Sequence, residues 1–264
     1  MRIAILGAGK MGAWIACELA RSHDVVIFDT APLDDDPARL ASIGGARVAE
    51  TLDGLGRHEP ELLVNCVPLG MTIQAFDAVV ASLPPTCMLS DIASVKTGLA
   101  GWYASSGRPF VSTHPMFGPT YADPADLSRQ NAVVISESCA EGKSFFRALY
   151  ERLGIRVFEE DFDGHDRTAA YSLGTPFASS MVFAACMKRL DAPGTNFKKH
   201  LDIARGLLAE DDRLLAEIMF NPYTIRRLEL INSQLSYLTH IIKDRDHEEM
   251  AKFLEKLRDN VADC

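Results

Sequence analysis

The chain contains no apolar run approaching the roughly 18–20 residues that a membrane-crossing helix needs, which excludes a conventional membrane span. It has no basic block: 27 lysines and arginines face 36 aspartates and glutamates, for a formal charge of −9. A net acidic surface is a poor match for the phosphates of nucleic acid or of an anionic bilayer, so neither is expected as a partner. Cysteine is sparse. Cys17, Cys66, Cys87, Cys139, Cys186 and Cys264 include no pair at metal-ligand or redox spacing, which argues against a metal site or a disulfide framework and fits reduced thiols in the cytoplasm. There is no internal repeat and no low-complexity stretch. Met1-Arg2-Ile3-Ala4-Ile5-Leu6-Gly7 enters an apolar strand at once, leaving no room for a secretory leader.

What is present is ordinary globular material: 264 residues, 47% hydrophobic and 24% charged, enough for one large domain or two modest ones. Short runs rich in valine, isoleucine and leucine at Arg2–Leu6, Asp24–Phe28, Glu61–Val67, Met88–Ile92, Phe110–Thr113, Ala132–Ser136 and Ile155–Glu159 read as strands. Most are continuous rather than alternating, the pattern of strands buried on both faces of a parallel sheet. Helical stretches such as Lys10–Arg21, Thr72–Ser82 and Ala140–Leu153 separate them, so the first 160 residues read as a doubly wound α/β sheet of Rossmann type. From about residue 161 to 264 the pattern is helical, over Arg167–Leu190 (interrupted near Pro176), Phe197–Met219, Pro222–Ile242 and from Asp244 onward. Some hundred helical residues have difficulty burying all their apolar faces alone, so packing against a second copy as a homodimer is expected.

Gly7-Ala8-Gly9-Lys10-Met11-Gly12 matches G-x-G-x-x-G, follows a strand and opens a helix. That is the context of a dinucleotide site. Gly7 permits the tight turn, Gly9 lets the backbone approach a pyrophosphate, and Gly12 allows close helix–strand packing, while the helix N-terminus meets the negative charge. Asp29, at the end of the second strand, can accept hydrogen bonds from a ribose 2′-hydroxyl and repels a 2′-phosphate, favouring NAD over NADP. Val67 and Pro68, after the strand near 61–67, are expected to pack along the cofactor.

Two later strand ends carry polar clusters: Ser90-Asp91-Ile92-Ala93-Ser94-Val95-Lys96-Thr97 and Ser112-Thr113-His114-Pro115-Met116-Phe117-Gly118-Pro119. The carboxyl ends of strands border the ligand crevice of an open α/β sheet. Ser94 and His114 are therefore the candidate catalytic residues, the histidine as base or acceptor for an alcohol under oxidation.

These motifs, with His165-Asp166-Arg167 before a helix, resemble those of the prephenate/arogenate dehydrogenase family, in the same order over residues 7 to 167. The resemblance implies a Rossmann domain followed by a helical dimerisation domain. It implies NAD-dependent oxidative decarboxylation of a cyclohexadienol that bears a ring carboxylate and a three-carbon side chain. His114 would take the ring hydroxyl's proton, Ser94 would hold His114 in its working tautomer, and Lys96 would organise the loop or an anionic group. Lys198 would hold a substrate carboxylate, with Arg167 as a neighbour able to share it. One departure stands out: Phe177 occupies the position where the family carries a second pocket histidine.

Two other readings remain open on the residues. One is a related dehydrogenase with a variant cyclohexadienyl or other hydroxy-acid substrate; the other is a non-catalytic dinucleotide sensor, which would have no use for Ser94 and His114.

Overall fold

A computed structural model describes residues 1–33, 37–118 and 126–262. Pro119 of the strand-end motif and Cys264 lie outside them. Eight strands form one sheet: β1 (Arg2–Leu6), β2 (Asp24–Phe28), β3 (Arg47–Val48), β4 (Leu62–Asn65), β5 (Met88–Asp91), β6 (Phe110–Pro115), β7 (Asn131–Ile135) and β8 (Arg156–Glu160), in the order β3-β2-β1-β4-β5-β6-β7-β8. The reversal of strand order between β1 and β4 is the switch point at which open α/β sheets bind ligands.

Successive strand residues point to opposite faces, and both faces are covered. Ile3 and Ile5 pack with Ile15 and Leu19 of α1 (Lys10–Ala20) and with Phe146 and Tyr150 of α6 (Ala140–Arg152). Ala4 and Leu6 face a second core with Leu55 of α3 (Leu52–Arg57), Phe76 of α4 (Thr72–Val79) and Tyr103 of α5 (Leu99–Ser106). A short helix, α2 (Pro37–Ser42), lies between β2 and β3. Burial on two sides is why these strands are apolar throughout, each such side chain contributing about 1.5–3 kcal/mol.

The sheet is not wholly parallel. β7 runs antiparallel to β6, and β8 is parallel to β7. A continuous apolar run records that both faces are buried and carries no information about strand direction, so the expected parallel order fails at these two strands.

After β8 the chain is helical: α7 (Phe162–Ala169), α8 (Thr175–Ala185), α9 (Thr195–Leu208), α10 (Asp212–Met219), α11 (Thr224–Asp244) and α12 (His247–Ala262). The interruption expected near Pro176 takes the form of a π turn over Ala170–Gly174 that joins α7 to α8. Proline has no N–H to give and its ring crowds the carbonyl four residues back, so the preceding turn widens. The single helix expected over 197–219 is two, because the Asp211 carboxylate caps α10 by accepting the Leu214 N–H at 3.0 Å. Arg245, in the left-handed region at φ 51°, separates α11 from α12. Among the described residues no helix is long and apolar enough to cross a membrane, and no cluster of His, Cys, Asp or Glu could hold a metal ion. Cys17, Cys66, Cys87, Cys139 and Cys186 are all unpaired thiols.

Candidate active site

Register places the site. Leu6 pairs with Asn65, Asn65 with Asp91 and Asp91 with Ser112, so β1, β4 and β5 end level with Ser112 of β6, which runs on to Pro115 against β7. Gly7, Cys66 and Ile92, which follow these ends, and the last residues of β6 form one rim of the sheet.

At the β1 end, Gly7 has φ 97°, and a Cβ there would lie 2.8 Å from the Cys66 carbonyl carbon. A Cβ at Gly12 would lie 2.0 Å from the Gly7 carbonyl oxygen, so α1 touches the turn backbone to backbone. Above Gly9 the space is open, with nothing within 4 Å of a Cβ, and no side chain caps the first turn of α1. A turn this tight, with open space over uncapped helix N–H groups, fits a pyrophosphate. Lys10 and Met11 are the first two residues of α1, exposed and half-buried.

Asp29 follows β2 and is tied to this loop. Its Oδ2 accepts the Ala8 N–H at 2.6 Å and its Oδ1 the Ala31 N–H at 2.8 Å, with Arg39 Nη2 3.5 Å from Oδ2. Two oxygens offer about four acceptor directions, so capacity for a ribose hydroxyl remains. Val67 is half-buried against the core and Pro68 is exposed at the start of a short 3₁₀ turn, Leu69–Met71. Asn65 braces this connection, accepting the Val67 N–H and donating to the Thr72 carbonyl. The Trp14 ring of α1 meets Phe117 edge to face at 5.2 Å, bringing the glycine-loop helix against the His114 motif.

At the β6 end, His114 is buried, with 4% of its surface exposed. Its Nδ1 lies 3.0 Å from Nε2 of His165, whose Nδ1 lies 3.1 Å from Oδ1 of Asp166. Asp166 is held from several sides: Oδ1 accepts the Lys96 N–H at 2.6 Å, Oδ2 accepts the Thr97 hydroxyl at 2.7 Å, and its carbonyl accepts from Asn221 Nδ2 at 2.8 Å. Burial first, then the neighbouring His165 and Lys96, holds the pKa of His114 well below the usual histidine value. A neutral imidazole at the end of a strand can accept a proton.

Several expected site residues are differently placed. Ser94 is half-buried on the β5–α5 connection and makes no hydrogen bond to His114; the ring is held by His165, which occupies its Nδ1 side. Lys96 does not face a ligand. It is 1% exposed, with Nζ donating to Asp91 Oδ2 at 2.5 Å and to the Thr113 carbonyl at 2.7 Å, because an ammonium inside the fold must be paired. Arg167 is exposed and turned to its own helix neighbour, with Nη2 2.6 Å from Asp163 Oδ2 and its guanidinium over the Tyr223 ring. Consecutive positions on a helix diverge by about 100°, so a buried Asp166 puts Arg167 on another side. Lys198 is exposed on α9, and Phe177 is half-buried in the first turn of α8. His165 and Asp166 are the residues whose placement against His114 the motif reading lacked. The sequence signal was the His165-Asp166-Arg167 motif, which the structure places within α7.

A sequence model of the nucleotide-binding domain of prephenate dehydrogenase matches residues 18–154, just over half of the chain. The match begins beyond the glycine loop, which is thus a separate observation. A probable arogenate/prephenate dehydrogenase of Methanocaldococcus jannaschii is 23% identical over 97% of this chain, and the chain spans 60% of that protein's length. Among solved structures, Synechocystis arogenate dehydrogenase aligns with TM-score 0.76 at 19% identity, covering 100% of this chain and 99% of the other. The prephenate dehydrogenase of A. aeolicus, in complex with hydroxyphenyl propionate and NAD+, aligns with TM-score 0.84 at 17% identity over 100% and 98%. At such identities these two structures share the fold. The matched domain contains β4, β5 and β6, whose ends carry the polar clusters, and on that match this chain belongs to the prephenate dehydrogenase family.

Proposed function

We propose that this protein is an NAD-dependent dehydrogenase that oxidatively decarboxylates prephenate or arogenate, giving 4-hydroxyphenylpyruvate or tyrosine. Residues 1–160 are read as the dinucleotide-binding unit and residues 161–264 as the substrate and dimerisation unit. The observation that carries the proposal is a buried His114, its pKa held low by burial, on the rim of the sheet where β1, β4 and β5 end and where β1 runs into a glycine loop fitted for a dinucleotide.

Gly7, Gly9, Lys10, Met11 and Gly12 would hold the pyrophosphate, Asp29 the adenosine ribose, and Val67 and Pro68 would flank the cofactor. NAD, when bound, supplies the hydride acceptor. His114 accepts the proton of the ring hydroxyl as the C–H bond on the same carbon breaks. Carbon dioxide then departs, its bonding pair stays in the ring, and aromatisation makes the step effectively irreversible. Ser94, on the adjacent strand end, lines the reacting region, and Lys96 acts from behind by holding the Thr113 carbonyl next to His114. Lys198 is the basic residue left to meet a substrate carboxylate, with Phe177 as an apolar wall.

Dimerisation is proposed through the helical part. There Ile203, Leu208, Ile225, Leu235 and Ile242 each leave more than half of their surface exposed, large apolar side chains available to a partner surface. Unpaired thiols are in keeping with a cytoplasmic protein.

The test is direct: protein mixed with NAD and either prephenate or arogenate, with absorbance of the reduced nicotinamide followed over time. Turnover of neither substrate would sink the proposal.

A further inference from the structure

We infer that His165 and Asp166 are a pair of positioning residues that fix which ring nitrogen of His114 carries its proton. The inference rests on the reading of His114 as the base and adds how that base is prepared. The argument is one of donors and acceptors. Oδ1 of Asp166 already accepts the Lys96 N–H, which can only donate, so Oδ1 is an acceptor. His165 Nδ1, 3.1 Å from the same oxygen, must therefore carry a hydrogen. As part of this inference His165 carries a single ring hydrogen; with that hydrogen on Nδ1, its Nε2 has a lone pair. That lone pair faces His114 Nδ1 at 3.0 Å, so His114 Nδ1 must donate and His114 Nε2 is left bare to take a substrate proton.

The orientation of Asp166 is itself fixed. Thr97 donates to Oδ2, and Asn221 holds the Asp166 carbonyl while its own amide oxygen accepts the Tyr223 N–H. The β5–α5 connection thus holds the carboxylate and the α10–α11 connection holds the carbonyl of the same residue, and the carboxylate's direction reaches His114 through His165. Ser94, which makes no hydrogen bond to the ring, cannot do this. A positioned acceptor behind a catalytic histidine is the logic by which a buried carboxylate sets the tautomer in Ser-His-Asp triads; here a second imidazole stands between the two.

The experiment reads the tautomer directly, by long-range ¹H–¹⁵N correlation on protein labelled at histidine nitrogens, with the His114 signals identified by their loss in His114→Gln. In the wild type at neutral pH, His114 should show a protonated Nδ1 and a bare Nε2. His165→Leu removes the acceptor. It should let the proton move to Nε2 and lower kcat on the order of 10²-fold, a typical share of a general base's contribution, while NAD affinity is unchanged. Asp166→Asn presents an oxygen to the Lys96 N–H and should retain the wild-type tautomer with a smaller loss of kcat.

A wild-type His114 protonated on Nε2 overturns the inference without reliance on any variant's folding. A His165→Leu protein that retains both tautomer and turnover overturns it as well. If the tautomer changes and turnover does not, the pairing stands as structure, and the assignment of His114 as base is what falls.

Discussion

Lys96 Nζ lies 2.5 Å from Asp91 Oδ2, and neither side chain has exposed surface. Burial pulls the pKa of the ammonium down and Asp91 pushes it back up. The other Asp91 oxygen accepts the Tyr103 hydroxyl at 2.8 Å, and the second Lys96 bond goes to the Thr113 carbonyl. One residue thus clamps β5 to β6 at Thr113, the residue before His114. Lys96→Met would fill the space but leave the carboxylate buried without its cation, a loss of about 3–5 kcal/mol. Chemical denaturation should show a lower midpoint with an unchanged slope. A variant as stable as wild type would exclude a clamp at this position.

His114→Ala should lower kcat by roughly 10²–10⁴-fold, the usual contribution of a positioned base, with NAD affinity intact. Ser94→Ala should cost less, because Ser94 makes no hydrogen bond to the ring. The pH dependence has a definite sign. The folded pKa of His114 lies well below the ordinary value near 6.5, so kcat/KM should hold as pH falls through 6.5 and decline only nearer the depressed value. For stability, the unfolded chain takes up this proton first as pH falls below about 6.5, so His114 lowers stability progressively between 6.5 and its folded pKa. Thermal unfolding of wild type and His114→Gln across that window should show the variant losing less stability on acidification.

How much of this was legible in the sequence depends on what each residue type encodes. Gly7 and Gly12 are readable because only glycine meets their steric demands, and Gly9 because its place in the pattern is the open space a pyrophosphate would use. His114 is readable because a polar cluster ending an apolar strand has no structural excuse. Lys96 was not, because lysine is rarely fully buried and the sequence does not show that Asp91, five residues before it, turns inward to meet it. The contact of His114 with His165 spans 51 positions, and no local periodicity records it. Strand direction at β7 and β8 left no mark for a similar reason: hydrophobic pattern encodes which faces are buried, not which way the chain runs.

Asp29 predicts cofactor preference. Its carboxylate lies at the end of β2 and braces the glycine loop through Ala8, so a 2′-phosphate would face an anion at close range. The kcat/KM should be higher with NAD than with NADP. Asp29→Asn should narrow the ratio, and the nearby Arg39 is then able to meet the phosphate. A wild-type preference for NADP would reverse this assignment.

Sedimentation at micromolar concentration should give about twice the chain mass. The apolar residues left exposed on α9 and α11 supply the reason. Ile225→Glu with Leu235→Glu, two exposed positions on α11, should yield monomer with little change in the sheet's near-ultraviolet signal. A monomeric wild type would mean these faces have another use.

The last expectation concerns the substrate's carboxylates. A dianion entering a partly enclosed site needs cationic or hydrogen-bonding partners, because an unpaired buried carboxylate costs several kcal/mol. On the family resemblance of the motifs Phe177 is expected in place of a pocket histidine, and an aromatic ring can pack on the substrate but cannot pair with an anion. Arg167 is committed to Asp163 and Tyr223 on the exposed side of α7. Its replacement by alanine should therefore change KM by less than a factor of about two, the scale of an exposed ion pair. That leaves Lys198, exposed on α9, whose ammonium is not committed to any carboxylate of the described residues. Lys198→Ala should raise KM for prephenate about tenfold or more with kcat little changed, since the group binds ground state and transition state alike; tenfold corresponds to about 1.4 kcal/mol. If Phe177 lines the proposed pocket, Phe177→His should be tolerated, or lower KM, by supplying a hydrogen-bonding ring. If Lys198→Ala leaves KM unchanged while Phe177→His abolishes turnover, the pocket is built around an apolar or differently substituted ring, and a variant cyclohexadienyl substrate becomes the better assignment.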